Sequence, residues 1–362
     1  MSIKKIKLFL LNIFVYTLIL YLLINSKTCI TSIRQSTELF LNKLIPALFP
    51  FILITEILIN FNIIQNLTYG IDKFICKVFR LQNGSSLPVV AGYLLGYPNA
   101  AKIINSLYFN KNISSNTAKH LTSFVNNANM SYIISSVGIS MYYNMKIGVI
   151  LLISHFLSSI IIGIFYPVNN YKSIIQQKNI ISNTFSKSYF EIILKSILNS
   201  IKTLAIIFSF TVIFSLIPAI LLKDLPINCT LKTIFKGVFE ISNGMYEISL
   251  LNISIAKKLI LSSFILSFSS LMVIFQVYSY LYTIGIKFRN LIKYKLLQGI
   301  LSSTITFILL QIFKIRNVNF DLNVYNSYDK YLTKTVILPS TIYIFSVVIT
   351  LVILYIINNK KK

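Results

Sequence analysis

Gly92-Tyr93-Leu94-Leu95-Gly96-Tyr97-Pro98-Asn99-Ala100-Ala101-Lys102 places two glycines, a proline and a lysine inside apolar sequence, in a chain that otherwise reads as bilayer-spanning helix. Asn126-Asn127-Ala128-Asn129 interrupts the next apolar stretch in the same way. Helix breakers free backbone N–H and C=O groups, and lipid offers those groups no partner. Interrupted segments therefore persist where they are buried in protein or line a water-filled cavity. The expectation is a helical membrane protein with a polar pathway through it.

Composition agrees. Of 362 residues, 55% are hydrophobic and 12% charged, and the mean hydropathy is +0.74. A soluble chain carries about 25% charged residues, so the class expected is an all-α polytopic membrane protein. The net charge of +25 does not require nucleic acid. Lysine outnumbers arginine 30 to 4 beside abundant Ile, Asn, Tyr and Phe, a bias that an AT-rich genome produces. Lysines at membrane faces, drawn to anionic lipid, account for the charge. Cys29, Cys76 and Cys229 are scattered, without metal-ligand spacing or an evident disulfide pair, and no metal or cofactor is expected. Lys4, Lys5 and Lys7 precede the apolar run Leu8–Ile24, and no small-residue cleavage site follows it. That run reads as a retained first span.

A spanning helix needs about 20 largely apolar residues. Eight stretches fit: Leu8–Ile24, Leu44–Ile59, Ala118–Val137, Ile147–Tyr166, Leu204–Leu222, Leu259–Leu281, Leu296–Ile312 and Val336–Ile357. Leu87–Tyr108 and Leu231–Leu251 are too broken or too short and read as re-entrant hairpins. With the N-terminus inside, 21 of the 34 Lys and Arg residues fall on the cytoplasmic side, among them four in 287–295. Lys27, Arg34 and Lys43 fall on the other side. Lys360, Lys361 and Lys362 agree with an even number of spans and a cytoplasmic C-terminus.

This topology makes spans two to four enter from outside and spans five to seven from inside, each triplet with a hairpin after its first span. That is an inverted repeat, the arrangement in which secondary transporters hold substrate near the midplane. Leu121-Thr122-Ser123-Phe124 and Leu261-Ser262-Ser263-Phe264 echo one another faintly across the repeat. The expected organisation is a first span in 1–30, one repeat in 31–168, a polar cytoplasmic linker in 169–190, a second repeat in 191–313, and a loop with the last span in 314–362.

In the first hairpin, Gly96 permits close backbone approach and Pro98 stops an uninterrupted helix. A helix beginning near Asn99 would point free N–H groups at an anion, with Lys102 one turn further on. Gly96, Tyr97, Pro98, Asn99 and Lys102 are therefore candidate substrate-binding residues; the other reading is a kinked interfacial helix whose lysine snorkels to headgroups. Asn126, Asn127 and Asn129 offer donors and acceptors to a polar solute, or else hydrogen-bond between helices at about 0.6 kcal/mol each. In the second hairpin Glu240 is the candidate coupling-ion residue, for proton or sodium, or a partner for Lys102; Ser242 and Gly244 beside it are candidate substrate-binding residues. An ionisable group within the membrane is a functional hypothesis by default. The other reading makes Glu240 and Glu247 solvated residues of an external loop. Gln276 is a polar position in an apolar span, suited to a ligand or to a helix–helix bond. His155 reads as structural, paired with a backbone carbonyl. Glu56 reads as reaching the interface, and Pro46 and Pro50 as kinking their span. No P-loop, zinc-ligand set or Ser-His-Asp arrangement is present, so neither an ATP-driven pump nor a catalytic residue is expected.

Leu44-Ile45-Pro46-Ala47-Leu48-Phe49-Pro50-Phe51, followed by Gly96-Tyr97-Pro98-Asn99-Ala100-Ala101-Lys102, resembles the sporulation integral membrane protein YlbJ (SpoVV) family. The later order of paired asparagines, the histidine of Ile153-Ser154-His155-Phe156-Leu157-Ser158, Glu240 with Gly244, and Gln276 is similar too, so the resemblance runs from about Ser32 to Phe313. It implies a nucleoside-recognition gate superfamily fold akin to concentrative nucleoside transporters. It also implies a role in endospore-forming Firmicutes, moving dipicolinic acid from the mother cell through the outer forespore membrane. Two places depart from the family pattern: Ala128-Asn129-Met130 stands where Ser-Gly-Pro is expected, and Ser269-Ser270 where a glycine pair is expected. From the residues alone the solute is small, polar and anionic in preference. The functions that compete are a dipicolinate-type transporter, a nucleoside or nucleobase carrier, and a non-transporting scaffold of spore-envelope assembly. An intramembrane enzyme around His155 lacks a partner nucleophile or acid.

Overall fold

The apolar sequence around Pro46 and Pro50 belongs to a much longer rod than hydropathy indicates. In this computed structural model, Ser26–Leu39 (α1) runs through a π-wound turn, Phe40–Leu44, into Ile45–Asn60 (α2), a continuous 35 residues. The π turn immediately precedes Pro46, whose missing N–H leaves the Asn42 carbonyl without its helical donor. The expected span Leu44–Ile59 is thus only the apolar half of this rod. Its other half carries Lys27, Thr31, Gln35 and Ser36, which face a cavity described below.

Residues 22–61, 63–167, 189–223 and 225–313 are described, together with Asn12, Tyr16 and Leu20. Most of the expected first span, the linker 169–188 and the C-terminal span Val336–Ile357 lie outside them.

Ile63–Phe79 (α3) leads to a helix–turn–helix formed by Ser86–Leu94 (α4) and Asn99–Phe109 (α5). The α3–α4 loop hangs on one carboxylate. Asp72 accepts from the Gly84 and Ser86 amides at 2.8 and 3.1 Å and from Ser86 Oγ at 2.5 Å. Burial and that neighbouring carboxylate push the Cys76 thiol up to about 12, so it is no thiolate at neutral pH. Asp72→Ala should cost about 1–3 kcal/mol by leaving these donors unpaired, read as a lower melting temperature with the oligomeric profile unchanged.

Ser115–Phe124 (α6) is capped by Ser114 through the Thr117 amide at 3.2 Å. Here the structure overturns an expectation. Ala118–Val137 is not one span: α6 ends, residues 125–129 run without helix, and a π-wound helix, Tyr132–Met141 (α7), follows. The asparagines cause this, because their side chains compete for the backbone's own acceptors. Asn126 Nδ2 bonds the Thr122 carbonyl at 3.2 Å, Asn127 Nδ2 the Phe124 carbonyl at 2.9 Å, and Asn129 Oδ1 caps α7 by accepting from the Tyr132 amide at 2.7 Å. Met145–Phe165 (α8), capped by Asn144, agrees with the expected fourth span.

Among the described residues, the order of rod, hairpin, broken helix and closing helix then recurs, without a counterpart of α3. A 33-residue rod, Tyr189–Leu221 (α9), is followed by a helical hairpin, Cys229–Phe239 (α10) and Ile241–Leu250 (α11). Then come Ile255–Phe268 (α12) and Ser270–Leu281 (α13), with Ser269 and Ser270 both left-handed at φ 70° and 58°. The expected span Leu259–Leu281 is therefore also broken. Phe288–Ile312 (α14) closes the half. Five segments among the described residues are long and apolar enough to cross a membrane: Ser26–Asn60, Met145–Phe165, Tyr189–Leu221, Ile255–Ile284 and Phe288–Ile312.

The two rods lie antiparallel. Ser36 Oγ meets Ser215 Oγ at 2.9 Å near one end, and Asn60 Nδ2 meets Ser196 Oγ at 3.0 Å near the other. Glu56, expected at an interface, is instead buried between them and accepts from Asn199 Nδ2 at 3.2 Å. α8, α12 and α14 form the packed centre, and α13 contacts α5 of the first hairpin and α10 of the second.

Candidate functional site

The first hairpin docks its tip on the first helix break. Tyr97 donates its amide to the Asn127 carbonyl at 2.9 Å. Gly96 has φ +70°, and a Cβ there would lie 2.7 Å from the Asn129 amide nitrogen, so conformation and space both demand glycine. The Tyr97–Pro98 bond is cis and α5 starts at once at Asn99. The Asn99 amide bonds Gly96 O and the Lys102 amide bonds Pro98 O, both at 3.1 Å, leaving the buried amides of Ala100 and Ala101 as the free donors of the first turn. At the start of α5 lies a small cavity of about 60 Å³, bounded by Pro98 and Lys102, by Thr203 and Phe210 of α9, and by Gln276 and Tyr280 of α13. Gln276 is 6% exposed and its Nε2 has no partner, so it brings a spare donor to this space.

Lys102 does not meet Glu240. Its Nζ lies 5.5 Å from the centroid of the Tyr280 ring, a cation–π contact, and its charged neighbours are Glu56 and Lys202. Asn105 pins the same helix to α13 through Thr283 Oγ1 at 3.1 Å and the Tyr280 carbonyl.

The second hairpin turns at Glu240, which is fully buried, so the reading of a solvated external loop fails. Its carboxylate caps α11, accepting from the Ser242 and Asn243 amides at 2.9 and 2.7 Å. The N-terminus of α11 therefore already holds an anion from its own chain. Asn243 Nδ2 reaches across to Ser36 Oγ of α1 at 2.9 Å. Glu240 is an electrostatic neighbour of the phenols of Tyr97 and Tyr132, so the two hairpin tips face each other in the interior.

Above Glu240 opens a cavity of about 440 Å³ between α1, the end of α9 and the second hairpin. Lys27, Lys223, Lys232 and Lys236 reach it, with Glu240 and Glu247 as its carboxylates. Lys236 pairs with Glu247 at 2.6 Å, and Lys223 donates to Asn25 Oδ1 at 3.2 Å. The wall keeps an excess of positive charge. Lys27, which the charge count put on the wrong face, is one of its linings.

The asparagines of the break line neither cavity. Asn127 Nδ2 also meets Ser159 Oγ at 3.0 Å, and its Oδ1 accepts from Gln298 Nε2 at 3.0 Å. Lys295 Nζ donates to the Asn126 carbonyl and to Gln298 Oε1 at 2.8 Å. His155 accepts the Ala128 amide at Nε2, 3.1 Å, and meets Ser267 Oγ through Nδ1 at 2.8 Å; its partners are an amide and a hydroxyl, not the expected carbonyl. Sequence reasoning missed Lys295 and Gln298, counting Lys295 among cytoplasmic lysines when it is 6% exposed. The available signal was Lys295, Gln298 and Gly299 recurring at helical spacing inside one helix. Gly244 lines neither of these two cavities: it packs against Gly237 where α10 and α11 touch. Ser242 is buried beside Glu240.

No family profile matches this chain, and no solved structure matches it. The sporulation integral membrane protein YlbJ of Bacillus subtilis (strain 168) is 23% identical to it over 344 residues, covering 85% of this chain and 84% of that protein. This match bears out the resemblance to the YlbJ family read in the sequence, and it supports an integral membrane protein with a role in sporulation.

Proposed function

We propose that this chain is a transporter of a small anionic solute, with dipicolinic acid the preferred substrate and the outer forespore membrane its location. The observation that carries this reading is the cavity of about 440 Å³, lined by Lys27, Lys223, Lys232 and Lys236 and ending at the buried hairpin tip of Glu240. A concave surface with excess positive charge concentrates anions at its mouth, and the volume suits a small planar dicarboxylate. The repeated order of rod, hairpin, broken helix and closing helix supports two related halves of opposite orientation, with both hairpins re-entrant and both chain termini cytoplasmic. In that frame the larger cavity opens away from the cytoplasm.

The smaller cavity, at Pro98, Lys102 and Gln276, is its counterpart on the cytoplasmic side, where Lys102 and the Gln276 amide would meet the carboxylate. One cavity is wide and the other nearly shut, the asymmetry expected of a carrier open to one side at a time. Gly96, Tyr97, Asn99 and Ser242 form the barrier between them, and Glu240 is the group that would take up a coupling proton. The gate-superfamily kinship implied by the sequence motifs fits this arrangement.

Counterflow in proteoliposomes with labelled dipicolinate and labelled uridine tests the reading. Dipicolinate exchange is expected, with the half-saturation concentration raised about tenfold in the Lys223→Glu, Lys232→Glu double variant, as electrostatic steering requires. Uridine moving alone would replace the assignment with a nucleoside carrier. Movement of neither, from a protein that restores sporulation to a deletion strain, would indicate a scaffold.

A further inference from the structure

Lys295 is a buried cation that the transport reading leaves without a task. It lies in α14, 6% exposed, and no described carboxylate pairs with it; the ion pairs among the described residues are Arg34–Glu38 and Lys236–Glu247. An ammonium in such a place is costly unless acceptors surround it. Its acceptors are the Asn126 carbonyl, freed by the helix break, and Gln298 Oε1 at 2.8 Å.

The setting is built to present oxygen. Gln298 spends its amide hydrogens on Asn127 Oδ1 at 3.0 Å and the His155 carbonyl at 3.3 Å, which turns its oxygen toward the lysine. His155 accepts the Ala128 amide at Nε2, so Nδ1 must carry the proton that it shares with Ser267 Oγ. The histidine is thereby held neutral and brings no competing charge. Asn126 Oδ1 is buried with no partner, one more oxygen than the side chains satisfy. α6 ends at Phe124, so its negative dipole end faces the same break. Unwound carbonyls at the end of a half-helix are the elements from which transporters build monovalent cation sites.

We propose that Lys295 is a tethered cation: its ammonium fills the seat that this helix break would otherwise offer to a free sodium or potassium ion. The break then keeps its shape without a bound metal ion, and no sodium gradient acts through it. The proposal concerns ion occupancy and stands or falls apart from transport.

The test uses the full-length protein in detergent, melted in sodium, potassium or choline chloride at equal ionic strength, with labelled-sodium binding measured alongside. The wild type should melt at one temperature in all three salts and show no saturable sodium binding. Lys295→Ala empties the seat. It should melt lower in choline and recover by roughly 3 °C or more in sodium or potassium. Lys295→Met fills the space without charge and should stay insensitive to the cation. Saturable sodium binding by the wild type would overturn the proposal. So would Lys295→Ala that gains nothing from sodium, or Lys295→Met that gains as much as Lys295→Ala. Should Lys295→Ala fail to fold, the wild-type comparison decides alone.

Discussion

Gly244→Val is expected to abolish most of the folded, monodisperse protein recovered from membranes. A Cβ at Gly244 would lie 2.7 Å from the Gly237 nitrogen and closer still to its Cα, and both are backbone atoms with no rotamer to yield. Helices in membranes associate through such close backbone approach at small residues. Valine would have to push α10 from α11, at a cost on the order of 3–5 kcal/mol, the upper range for single substitutions. Separating the helices also moves Glu240, which joins them, and with it the bond from Asn243 to Ser36 of the first half. Size-exclusion profiles of extracted protein measure the effect. A Gly244→Val protein with wild-type yield and melting temperature would refute the close-contact account, whereas Gly244→Ala should fall between the two.

The second large effect belongs to Glu240. Glu240→Ala leaves the Ser242 and Asn243 amides without acceptors in a fully buried position, which costs about 2–5 kcal/mol for two bonds to a charged group. Glu240→Gln keeps one acceptor and the shape of the side chain, so it should retain the fold. Under the transport reading it should also remove whatever pH dependence wild-type counterflow has, because the titratable group between the cavities is gone. Thermal melting separates the structural loss from the functional one. If Glu240→Ala melted like the wild type, the cap would not hold the hairpin; if Glu240→Gln kept the wild-type pH profile, another group would carry the proton.

Both residues were visible in the sequence as members of a broken segment, yet their tasks were not. Gly244 was read as a substrate contact, whereas it is a packing surface between α10 and α11. Glu240 was read as a partner for Lys102 or a coupling group, and it caps the helix that follows it. The asparagines were read as an interruption within one span, Ala118–Val137, and as contacts for a polar solute. They end that span, because a carboxamide close to its own backbone competes with the helix for the same carbonyls. At 269 and 270 the one cue was the glycine pair that the resemblance led one to expect; serine itself is no obligate breaker, yet both residues are left-handed.

Hydropathy and helix breakers act over a few residues, so the sequence alone determined that this is a many-span helical membrane protein with two interrupted hairpins. It also determined which residues stand at their tips. Which groups then meet was decided by tertiary structure. Lys295 reaches the Asn126 carbonyl across 169 residues of chain, and Asn243 reaches Ser36 across 207. Such pairings depend on how each helix is rotated about its own axis against its neighbours. That rotation is set by close packing over whole interfaces, and no local pattern of residues records it.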